Sequence, residues 1–146
     1  MTESNSALAH TFEAIQEGQV VDHTYLISAE TYGGFINTFG DRSPLHVDTD
    51  SAKALGFQDI VMHGTILNGF LSHFIGMLFP GRTAMLLSVE LRYLQPCFMG
   101  DEVQMVATVK QKQHTHRVLI IQVHFIRIQD QTLVASGRVM TKVYDV

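Results

Sequence analysis

The 146-residue chain has no tryptophan, one cysteine, three prolines and little charge, 16% of residues against 46% that are hydrophobic. Each shortage excludes something. Sparse charge among abundant apolar residues is the reverse of the composition that keeps a chain disordered. The lone Cys97 forbids an internal disulfide framework and any four-cysteine metal centre. One unpaired thiol suits a reducing compartment, so a cytoplasmic location is expected. Lysine and arginine number 10 against 14 acidic residues, a formal net charge of −4. That lacks the basic excess of a generic nucleic-acid binder, so no nucleic-acid partner is expected. The first residues, MTESNSALAHTFEAIQEGQ, have no basic segment leading into an apolar run, and no secretory signal is expected. The longest apolar stretch, Gly64 to Phe79, is interrupted by Asn68, Ser72 and His73. It is shorter than the roughly 20 residues that span a bilayer, so no membrane span is expected.

What is present reads as one domain over residues 1–146, with residues 1–17 or so a flexible leading segment. Val20 to Ser28 is rich in β-formers and predicts a strand, and Ala29 to Phe39 predicts a helix. Thr49 or Asp50 is placed to cap a short helix that Gly56 would stop. Ile66, Leu67, Phe70, Leu71, Phe74, Ile75 and Leu78 recur at helical spacing, and Pro80-Gly81 ends the run. Their apolar coverage predicts a helix buried on most sides. Beyond Gly81 the period switches to two. Leu87 to Tyr93 alternates, as do Val103 to Val109, Leu119 to Phe125, and the set Leu133, Ala135, Val139 and Val143. Short connections near residues 111–114 and 129–131 suit antiparallel neighbours. The class is therefore α+β, an antiparallel sheet around a buried helix.

One region carries chemistry. Asp41 and His46 flank a turn containing Pro44, so a carboxylate and an imidazole can be aimed at one water, an arrangement for general acid–base work. Gly64 stands at the expected start of the buried helix, where a free N–H and the positive end of the helix dipole can stabilise charge on a carbonyl oxygen. Water activation beside carbonyl polarisation suggests addition to, or hydrolysis of, an activated carbonyl compound. A metal site is not expected: no HExxH is present, and His114 and His116 sit in a hairpin connection. His63 reads as a backbone-bonded histidine near the helix start, and His124 as a sheet-face residue. Cys97, beside Pro96, reads as an inert buried thiol. Lys53, Arg82 and Arg92 are candidate contacts for a phosphate.

The string GDRSPLHVDTDSA (40–52), the His63-Gly64 pair before the apolar helix and the later QPCFMGDEV (95–103) resemble the MaoC-like, or (R)-specific enoyl-CoA hydratase, family. The family motif runs Gly-Asp-x-Asn-Pro-hydrophobic-His, then five residues and a small one. Gly40-Asp41, Pro44-Leu45-His46 and Ala52 fall in register, while Ser43 stands where the motif has asparagine. The resemblance runs from about Gly18 to the C-terminus. It implies a single hot-dog domain, a long central helix wrapped by a curved antiparallel β-sheet, and a homodimer. It also implies reversible hydration of 2-enoyl-CoA thioesters to (R)-3-hydroxyacyl-CoA, within fatty acid metabolism. No metal or redox cofactor would be needed, coenzyme A being part of the substrate. By position, Asp41 and His46 match the pair that activates water, the Gly64 N–H matches the donor to the thioester oxygen, and Ser72 matches a helix serine supporting the site. Ser43 and His63 join it as support or substrate-binding residues. Two rivals remain: a hot-dog acyl-CoA thioesterase, and a non-catalytic acyl-thioester-binding module. Many thioesterases and related dehydratases place an acid on the central helix, and Gly64 to Phe79 contains neither Asp nor Glu.

Overall fold

Apart from the β-rich Val20–Leu26, strand propensity after residue 82 and helical propensity before it divide the chain into a sheet and the segment that packs on it. The computed structural model describes residues 6–146. Strand β1 (Val20–Leu26) leads to helices α1 (Ala29–Phe39), α2 (Pro44–Val47), α3 (Thr49–Ala54) and α4 (Ile66–His73). Four strands follow: β2 (Ala84–Tyr93), β3 (Glu102–Gln113), β4 (Val118–Arg127) and β5 (Thr132–Val143). All pair antiparallel in the order β1-β3-β4-β5-β2, so the three central strands are joined by hairpins and β1 and β2 are the edges.

One face of the sheet carries the core. Val103, Met105, Ala107 and Val109 on β3, and Leu119, Ile121, Val123 and Phe125 on β4, are buried as their alternation predicts. They pack in one cluster with Leu67, Leu71, Phe74 and Ile75 from the central helix. The last strand departs from a strict period of two. A bulge between Phe125 and Ile126 shifts the pairing, so Val134 and Ala135 are both buried while Leu133 turns outward. A second bulge on β2, between Leu86 and Ser88, leaves Leu87 exposed rather than in the core. Close packing of β2 on β5 requires Gly137, because a Cβ there would collide with the Glu90 carbonyl.

Four further expectations need correction. The central helix is not uniformly α-helical: after His73 it widens into a π-helical turn, Phe74–Leu78. Nor is it buried on most sides. Gly69, Ser72 and His73 are exposed, because within one chain only the sheet-facing stripe has a partner. The cap of α3 is Asp48, whose carboxylate accepts from the Ser51 N–H, and not Thr49 or Asp50. The leading segment, expected to be flexible, is anchored over residues 6–17. Phe12 and Ile15 enter the core, Lys112 donates to both of their carbonyls, and Arg117 pairs with Glu13. Residues 1–5 of that expected segment lie outside the described residues. Among the described residues no helix is long and apolar enough to cross a membrane.

Candidate functional site

The sequence Gly-Asp-Arg-Ser-Pro is a helix end, a turn and a helix start laid end to end. Gly40 closes α1 with φ +72°, a left-handed cap whose N–H reaches the Ile36 carbonyl. Asp41 follows, and its Oδ1 accepts from the Ser43 N–H at 3.1 Å, closing an Asx turn. Pro44 then opens the single turn α2, where its missing N–H costs nothing. His46 rides on that turn.

Main-chain carbonyls hold this piece in place. The Tyr32 hydroxyl on α1 donates to the His46 carbonyl at 2.6 Å. The Val61 N–H donates to Leu45 O at 3.1 Å, and His46 Nδ1–H donates to Val61 O at 2.7 Å. A carbonyl can only accept, so in the neutral imidazole the His46 hydrogen sits on Nδ1 and the lone pair on Nε2. The next residues, Met62 to Gly64, run from a bond to the Cys97 carbonyl into α4. His63 is 3% exposed and its Nε2–H donates to the Asp41 carbonyl at 2.8 Å. Its ring stacks on His46 with centroids 4.0 Å apart and 29° between planes. Gly64 precedes the first residue of α4 by two positions. Among the described residues, no carbonyl or side chain accepts from its N–H. The Tyr93 ring lies over it: an ideal Cβ at residue 64 would be 3.0 Å from Tyr93 Cδ1. The Tyr93 hydroxyl is tied to Asn68 on α4.

Asp41, His46, His63, Gly64 and Tyr93 share one open cavity of about 490 Å³. Its remaining walls are largely apolar, with Ile27, Phe57, Met62, Leu67 and Pro96 among them. Cys97 also lines it, and burial, with Asp101 nearby, pushes its thiol up to about 11. At neutral pH the sulfur is therefore a protonated wall atom and no nucleophile. Burial likewise raises the Tyr93 hydroxyl above the usual tyrosine range, so it remains a donor.

Asp41, His46 and His63 offer donor atoms within 4.8 Å of one another, a spacing compatible with a cation. Their geometry favours hydrogen bonding instead. The two imidazoles stack face to face rather than converging, and His63 already gives its Nε2–H to a carbonyl.

Of the sequence-derived residues, the fold brings Asp41, His46, His63 and Gly64 together. Ser43 contributes its backbone N–H, and its hydroxyl caps nothing. Ser72 is exposed on α4 and does not line the cavity, so within one chain the expected support from this serine is absent. Lys53, Arg82 and Arg92 do not line it either. Tyr32, Tyr93 and the Val61 carbonyl escaped the sequence reading. Main-chain acceptors leave no mark on side-chain identity, and both tyrosines act on partners distant in sequence.

Comparison with known proteins adds findings of three kinds, a family, individual relatives and solved structures. The MaoC like domain family matches residues 12–126. An (R)-specific enoyl-CoA hydratase of Rhodospirillum rubrum is 31% identical over 106 residues, 73% of this chain and 74% of the relative. A mitochondrial 3-hydroxyacyl-[acyl-carrier-protein] dehydratase of Arabidopsis thaliana is 30% identical over 89 residues, covering 61% of this chain and 52% of its own length. Among solved structures, the (R)-hydratase from A. caviae involved in PHA biosynthesis superposes with a TM-score of 0.83 at 23% identity, over 90% of this chain and 99% of that one. The R-hydratase of Pseudomonas aeruginosa in its unliganded form gives 0.85 at 22% identity, over 93% and 86%. At such identities the structures speak to the fold, which is the hot-dog.

Proposed function

The chain belongs to the MaoC-like domain family, and from that membership we propose that it is a hydro-lyase adding water reversibly to 2-enoyl-CoA thioesters to give (R)-3-hydroxyacyl-CoA. The observation that carries the reading is the meeting of Asp41, a His46 held with Nε2 free, and the unclaimed Gly64 N–H at one apolar cavity. In this reading a water sits between the Asp41 carboxylate and His46 Nε2. Its oxygen bonds to C3 of the substrate while the C2=C3 electron pair shifts toward the thioester carbonyl. The Gly64 N–H meets the charge that develops on that oxygen, a contribution on the order of 3 kcal/mol for a donor of this type. The proton lost by water returns to C2 through the same pair, so that one water is added overall. Asp41 and His46 act as one coupled unit, and the proton is not assigned to either alone.

No metal or redox cofactor enters the proposed reaction, and coenzyme A arrives as part of the substrate. We further propose a homodimer. Exposed Leu86, Leu87, Tyr93 and Leu94, on and just beyond edge strand β2, support it. A cytoplasmic setting is supported by the single free thiol.

The test is loss of enoyl-thioester absorbance with crotonyl-CoA and then a longer 2-enoyl-CoA, with free thiol assayed in the same cuvette. Hydration without thiol release, giving the R product and abolished by Asp41→Asn and His46→Gln, is the expected result. Thiol release would assign the protein to the thioesterases. Binding without turnover at both chain lengths would make it a non-catalytic module.

A further inference from the structure

His63 touches both Asp41 and His46 and adjoins Gly64, and nothing in the proposed chemistry uses it. Its Nε2–H holds the Asp41 carbonyl at 2.8 Å, bridging 22 residues of chain. That bond matters because the Asp41 side chain is 51% exposed and its own Oδ1 is anchored only by the Ser43 N–H. One face of the His63 ring lies on His46 at 4.0 Å. Phe35, with its centroid 4.6 Å away, and Tyr32, at 6.0 Å, pack around the ring from α1. Through its own peptide bond His63 also fixes where the Gly64 N–H begins. Its remaining nitrogen, Nδ1, is buried with no partner among the described residues.

We infer that His63 is a positioning residue that sets the distance between Asp41, His46 and the Gly64 N–H. The inference rests on the reading of Asp41 and His46 as the water-activating pair. The job demands a flat ring that stacks and an in-plane N–H that donates. Phenylalanine supplies only the first and glutamine only the second.

His63→Phe and His63→Gln, made in the full chain, separate these two functions. Kinetics on a 2-enoyl-CoA, thermal midpoints and the His46 ring shifts by NMR are the readouts. Both variants should lose about 10- to 100-fold in kcat, the scale of a misplaced catalytic group. KM should stay within about threefold, because apolar binding is untouched. The ring-current shift of His46 should persist in His63→Phe and vanish in His63→Gln. A His63→Phe enzyme with wild-type kcat would overturn the inference, as would losses of kcat and KM that simply track unfolding.

If neither variant folds, the wild-type protein decides by ¹⁵N NMR. A slowly exchanging proton on His63 Nε2 supports the inference, and a proton on Nδ1 instead defeats it. Wild-type protein without hydratase activity would sink the reading of the previous section, and the NMR arm still judges the His63 geometry separately.

Discussion

An added methyl at residue 64 would press on the Tyr93 ring, 3.0 to 3.3 Å away, and that ring is tethered to Asn68 through its hydroxyl. Gly64→Ala should therefore displace the ring or the N–H, and kcat should fall by about 10-fold or more if the donor moves. Combining it with Tyr93→Ala in a double-mutant cycle should give a coupling on the order of 1 kcal/mol, which two residues with no shared contact would not show. Cys97 makes the opposite prediction, of inertness. With its thiol raised to about 11, it is protonated at pH 8 and buried. A disulfide reagent at that pH should label it slowly in native protein and rapidly in urea. Single residues were partly legible in the sequence. Asp41 and His46 could be found because turn and helix chemistry constrain them locally, through Gly40, the Asx turn and Pro44. The Val61 carbonyl that orients His46 could not, since any residue supplies a carbonyl. Ser72 lies outside the cavity of a single chain, and sequence position on a helix does not say which face has a neighbour.

Helix α1 shows how an element with no catalytic group still governs the site. Its N-cap, Ser28, accepts from the Thr31 N–H at 3.1 Å, and its body carries Tyr32 and Phe35 onto the loop and His63. Ser28→Ala should cost about 1 kcal/mol. For a domain near this size that is a fall of roughly 2–5 °C in Tm, read by calorimetry. The α1 boundaries and the β3 and β4 faces were readable from propensity and period. On β2 and β5 the period held beyond the bulges, with Val89, Leu91, Ala135, Val139 and Val143 on the core side, and failed at them, because a bulge inserts one residue and turns Leu87 and Leu133 outward. Leu133 and Val134 exchange roles for this reason. The π-helical end of the central helix also has no counterpart in a pattern that counts by 3.6.

At the level of the whole molecule, the exposed leucines of β2 lie on a free sheet edge, and an isologous dimer would cover them. Leu87→Glu should convert a dimer to monomer in light scattering after gel filtration, with β-sheet content unchanged by circular dichroism. Fold class, strand count and antiparallel pairing were legible because they follow from period and short connections. A dimer was expected from the resemblance alone, and the sequence named no residue of a contact surface. The order of the strands has a consequence of its own. Residues 102–143 form a meander of three strands joined by tight hairpins, whereas β1 must pair across residues 27–101 and β2 must pair back onto the last strand. Closing short loops first is entropically cheaper, so the meander is positioned to nucleate folding and the outer strands to dock afterwards. Asp41, His46, His63 and Gly64 all lie between those outer strands, so they converge only once the rest is built. Pulse-labelled amides of β3 and β4 should accordingly gain protection before those of residues 41–64, and catalytic competence would be the last thing this chain acquires.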